Sequence, residues 1–128
     1  MSQRAVWAEI DLTAIRHNYE VITRSIAGGA KLCAVVKANA YGHGAAAVAR
    51  EALQAGAAYL AVATLSEAAE LRREGFRTPI LILSLIDPQE SRDAVALAVT
   101  PTVANLASAE ALSAEAARQA TTLRLHLA

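Results

Sequence analysis

Residues Tyr59 to Leu83 read Y-L-A-V-A-T-L-S-E-A-A-E-L-R-R-E-G-F-R-T-P-I-L-I-L. Tyr59 to Ala63 is a short apolar run, as expected of a buried strand. Thr64-Leu65-Ser66-Glu67 has the spacing of a capping box, in which a hydroxyl and a carboxylate satisfy each other's amides at a helix start. The helix it opens runs to Glu74 and stops at Gly75, a residue suited to the left-handed close of a helix. Pro79 to Leu83 is again an apolar run. Strand, helix and strand follow one another within a single stretch, which is the signature of a βαβ unit with parallel strands.

The same unit extends in both directions. Upstream, Leu32 to Val36 (L-C-A-V-V) is a continuous apolar run, expected to be covered on both faces. Ala45 to Ala55 is helical and ends at Gly56. Before them, Val6, Ala8, Ile10 and Leu12 alternate as in a half-buried strand, and Ile15, Tyr19, Ile22 and Ile26 follow at helical spacing with Asp11 as N-cap. Gly28-Gly29 closes that helix. Downstream, Asp87-Pro88-Gln89-Glu90 combines a cap, a first-turn proline and an acid at a helix start. Thr100 to Val103 predicts a strand, Ser108 to Gln119 a helix and Leu123 to Ala128 a strand. Periodicity alone leaves a doubly wound sheet and a (β/α)8 barrel equally open. The stop at Ala128, inside a strand, is read as the end of the N-terminal part of a longer protein.

Composition narrows the function classes. The chain has 128 residues, 55% hydrophobic and 19% charged, with 12 basic residues balanced by 12 acidic ones. That is a globular composition. Zero net charge gives no basic face for nucleic acid or an acidic membrane surface. No apolar run approaches the roughly 18 residues of a membrane span, and the N-terminus lacks an apolar signal core. A single cysteine, Cys33, excludes an internal disulfide framework and points to a reducing, cytoplasmic compartment. Cys33 is expected as a small core hydrophobe, and Trp7 as a packing residue.

Chemistry concentrates at Lys37. The basic residues include two lysines, Lys31 and Lys37, and arginine serves poorly as an amine nucleophile. Lys37 follows a buried strand, where α/β folds place their reactive groups. Burial there disfavours the ammonium form and suits the amine to nucleophilic or proton-accepting work. Gly42 and Gly44 permit a tight turn before the helix at Ala45, whose N-terminal amides could receive a phosphate. Tyr41 adds a phenolic hydroxyl. Taken singly, each feature has a plain structural explanation: a solvated strand end, a turn, a packed tyrosine.

Together they form V-V-K-A-N-A-Y-G-H-G, Val35 to Gly44, which resembles the pyridoxal-phosphate attachment motif of bacterial alanine racemases. The resemblance continues through W-A-E-I-D-L (Trp7 to Leu12), A-G-A (Ala55 to Ala57), L-A-V-A-T (Leu60 to Thr64), E-A-x-x-L-R (Glu67 to Arg72) and P-I-L-I-L. Beyond Pro88 only the general pattern matches. It implies a (β/α)8 TIM-type barrel, of which this chain supplies about five βα units before closure. Residues 1–12 would be a leading strand, unpaired here because it joins a C-terminal β domain that the chain lacks, and residues 13–128 the serial units.

The resemblance further implies interconversion of L- and D-alanine with pyridoxal 5'-phosphate, supplying D-alanine for peptidoglycan, in a homodimer. Lys37 matches the residue that holds the cofactor covalently and acts as base on the D-alanine side. Tyr41 matches the tyrosine on the cofactor phosphate, and Leu83 an apolar position lining the cofactor pocket. The second base would be a tyrosine of the partner subunit, so the segment alone is expected to be inactive. Another amino-acid racemase or decarboxylase on the same barrel, and a non-catalytic pyridoxal-phosphate carrier, are the alternatives. His43 is expected to order the motif loop, His17 to lie on the surface, and His126 to face either a barrel interior or a pocket. No metal-ligand spacing links these histidines or Cys33.

Overall fold

The computed structural model describes residues 6–26 and 28–128. Helix α1, Leu12–Ser25, is capped by the Asp11 side chain, which accepts from the Ala14 amide at 3.0 Å. Strand β1, Cys33–Val35, leads into a one-turn segment α2, Lys37–Tyr41, and then α3, Ala45–Gln54. The next unit is β2, Tyr59–Val62, with α4, Leu65–Arg73. Strand β3, Ile80–Leu85, is followed by a 3-10 turn, Pro88–Glu90, and α5, Ser91–Ala96. Strand β4, Thr100–Val103, helix α6, Leu106–Arg118, and β5, His126–Leu127, complete the described chain.

All five strands are parallel and lie in the order β1-β2-β3-β4-β5. A doubly wound sheet reverses its strand order at a switch point; this one never does. Sequential order with right-handed crossovers puts the helices on one face, as in a barrel. The register agrees. Ala34, Leu60, Val62, Ile80 and Ile82 share one face, are almost fully buried, and pack with Val48, Ala52, Leu65, Ala68 and Leu71 of the helices. On the other face Val35 and Leu83 are exposed although Ala61 beside Val35 is buried, so the continuous apolar runs are covered only in part on that side by the described residues.

Arg72 of α4 locks the end of the sheet remote from Lys37. Its guanidinium donates to the Leu97, Phe76, Thr78 and Ala98 carbonyls at 2.8–3.1 Å. Burial lowers its pKa, with the nearby Arg77 charge adding to the effect. The fork geometry of arginine is what lets one side chain satisfy four acceptors.

Three expectations are corrected. Residues 6–11 of the leading segment have no ladder partner among the described residues, as expected, but Leu12 belongs to α1 rather than to that strand. A strand needs a ladder partner, and alternation alone does not supply one. Residues 1–5 of that predicted strand lie outside the described residues. Trp7 is 79% exposed rather than packed. Cys33 is exposed on the open sheet face rather than in the core, although partial burial still raises its thiol pKa.

Candidate active site

Lys37 stands where β1 ends. The ladder pairs Val35 with Ala61 and Ala61 with Leu81. Two residues further along each chain are Lys37, Ala63 and Leu83, one row at the C-terminal end of the sheet, where Val36 at ψ 22° has already turned β1 out of the extended path. Ladder hydrogen bonds continue into this row, with the Ser84 amide donating to the Ala63 carbonyl at 3.3 Å. Between Ile82 and Leu85 the register with β4 shifts, a bulge that re-aims the β3 side chains. Leu83 lies in it, 42% exposed. Lys37 is half-buried, and its amine has neither an ion pair nor a hydrogen bond among the described residues.

The backbone after Lys37 takes an unusual path. Ala38, Asn39, Ala40 and Tyr41 all have positive φ, at 50°, 54°, 53° and 55°. Four consecutive non-glycine residues therefore form a left-handed turn, at a cost of about 1–2 kcal/mol each. Such strain persists only when the surroundings over-determine it, and here they do. The Ala40 amide donates to the Val36 carbonyl at 2.9 Å, Gly42 to Ala38 at 3.1 Å and Gly44 to Asn39 at 2.9 Å. The Asn39 side chain accepts from the Ala45 amide at 2.8 Å. One His43 ring nitrogen, Nδ1, lies 3.1 Å from the Ala40 carbonyl, the loop-ordering contact expected of it.

Glu67 reaches this turn from α4. Its Oε1 accepts from the Ala38 amide at 2.8 Å, and Oε2 from Ala63 at 2.8 Å and Thr64 at 3.4 Å. The capping box of α4 is present, but the shorter bonds of its carboxylate go to the strand-end amides. Sequence reasoning read Glu67 as a cap only. At the α3 N-terminus, whose amides could receive a phosphate, Asn39 Oδ1 accepts from the Ala45 amide.

Tyr41 is 62% exposed and sits beside an open cavity of about 490 Å³, shared with Asn18, Tyr19, Val35 and His43. The structure thus brings Lys37, Tyr41 and Leu83 to one end of the sheet. His126 in β5 is exposed, and His17 lies on the surface. No cluster of three potential metal ligands occurs among the described residues, and no helix is long and apolar enough to cross a membrane.

This strand-end lysine and its left-handed turn sit on a sheet of known kind. Residues 10–128 match the family described as alanine racemase, N-terminal domain. The chain belongs to that family. It is 49% identical to the alanine racemase of Desulforamulus reducens over 122 residues, 95% of this chain but 33% of that protein. The solved alanine racemase of Clostridium difficile 630, in complex with cycloserine, superposes with a TM-score of 0.92 at 34% identity, covering 99% of this chain and 34% of that one. A histidine racemase from Leuconostoc mesenteroides superposes with a TM-score of 0.78 at 35% identity, covering 89% and 30%. The fold is accordingly the α/β arrangement of the family's N-terminal TIM-type barrel, and the chain spans about a third of the length of the relatives it matches.

Proposed function

We propose that this chain is the lysine-bearing part of a pyridoxal-phosphate-dependent alanine racemase that interconverts L- and D-alanine. The observation that carries the reading is a half-buried amine, unpaired among the described residues, at the C-terminal end of a barrel-type sheet and followed by a strained turn. That donor set fits the cofactor. Lys37 would hold it covalently, Tyr41 would hydrogen-bond its phosphate, and the Leu83 side chain would offer it an apolar wall. Pyridoxal phosphate, when bound, supplies an electron sink for the pair left when the α-proton departs. The Lys37 amine takes up or returns that proton on one face of the α-carbon, and inversion needs a second acid/base group on the other. A cytoplasmic homodimer, with that group supplied by the partner, completes the reading.

The likeness to a histidine racemase favours a second reading, racemisation of a different amino acid by the same lysine. Both are tested on the full-length enzyme. Borohydride treatment after loading with pyridoxal phosphate is expected to fix the cofactor on Lys37, and L-alanine is expected to racemise. Lys37→Arg should abolish both, since a guanidinium cannot serve as the amine. An adduct mapped to Lys31, or none, overturns the site. Turnover of another amino acid in preference to alanine selects the second reading.

A further inference from the structure

The turn that carries Lys37 is held in a costly conformation, and the bond nearest to Lys37 comes from another βα unit. The Ala38 amide belongs to the peptide directly following Lys37, and it donates to Glu67 Oε1 at 2.8 Å. The other oxygen, Oε2, accepts from Ala63 at 2.8 Å. Ala63 lies in the same strand-end row as Lys37. One carboxylate therefore bridges the ends of β1 and β2 from the first turn of α4, itself fixed by packing of Leu65, Ala68 and Leu71 in the core.

Resting on the function proposed above, we infer that Glu67 is a positioning residue for Lys37: by bridging the Ala38 and Ala63 amides it fixes the turn from which the reactive amine projects. Helix capping alone explains the observation poorly, because the bond to the Thr64 amide is the longest of the three at 3.4 Å. The chemistry needs a carboxylate. Each oxygen faces a different N–H donor, so an amide in its place can accept on one side only and must present its own N–H to the other.

The test compares Glu67→Gln, Glu67→Ala and Thr64→Ala in the full-length enzyme. In the cofactor-free protein, Glu67→Gln is expected to speed hydrogen exchange at the Ala38 amide roughly tenfold or more, the worth of a lost bond to a charged acceptor. In the loaded enzyme it should lower kcat by a similar factor with little change in KM, because geometry at the amine changes rather than substrate binding. Glu67→Ala should do both more strongly. Thr64→Ala, which removes the cap hydroxyl and leaves the bridge, should do neither. Unchanged Ala38 exchange in Glu67→Gln, or equal effects from Thr64→Ala, overturns the inference. A wild-type enzyme that neither retains cofactor on Lys37 nor racemises alanine overturns the function instead, and Ala38 exchange still decides the bridge.

Discussion

Tyr41 combines two properties that a packing tyrosine would not have: it is 62% exposed, and it occupies the left-handed region at φ 55°. A bulky side chain there is strained, so the position is held by its neighbours rather than by its own preference. The arrangement presents a hydroxyl on the turn that follows Lys37 at little expense to the core. In the full-length enzyme Tyr41→Phe should therefore leave folding unchanged and weaken cofactor retention. A neutral hydrogen bond contributes about 0.5–1.5 kcal/mol and one to a charged phosphate up to about 3. That corresponds to a loss of roughly 2- to 150-fold in cofactor affinity, measured by equilibrium binding. An unchanged dissociation constant would return Tyr41 to a structural role.

Among the elements, the legible ones were those whose pattern is local. The capping box at Thr64, the Asp11 cap and the apolar runs of β1 to β3 state their own geometry, and the structure follows them. The left-handed turn was not legible, because Ala-Asn-Ala-Tyr contains no glycine and its shape comes from bonds to Val36, Ala45 and Glu67. For the same reason the lysine was readable and its bridge was not. Helix α6 offers a test of a contact that depends on charge. Hydrogen bonds from Arg118 and then Gln119 pull the Glu115 carboxyl from the usual 4.5 down to about 2, while Gln119 also donates to the Arg92 carbonyl at the α5 side. A folded-state pKa below the unfolded one means that the contact contributes above about pH 4.5 and is lost as pH falls towards 2. Amide protection in the last turn of α6 should decline across that window. Glu115→Gln should remove the pH dependence, and a decline that persists in the variant would assign it to another group.

At the scale of the molecule, the sheet has one finished face and one open face. Helices bury Ala34, Leu60, Val62, Ile80 and Ile82, whereas Val35 at 37%, Leu83 at 42% and Leu85 at 57% remain exposed on the other face. Strands β1 and β5 are both outer strands of the described sheet, and unpaired edges next to exposed apolar side chains invite association between chains. Leu83 on the open face lies at the same strand ends as Lys37 and Ala63, so a cover over the apolar surface is expected to close the site around the amine as well. Expressed by itself, the 128-residue chain should then self-associate in sedimentation, bind pyridoxal phosphate weakly and fail to racemise L-alanine. Trp7, the sole tryptophan and 79% exposed, supplies an independent probe. Its fluorescence should be that of a solvated indole in the isolated chain and is expected to shift to the blue in the full-length enzyme proposed above. A monodisperse 128-residue species that turns over alanine would show that the open face is already complete as a site, and that the groups needed for inversion lie within this chain.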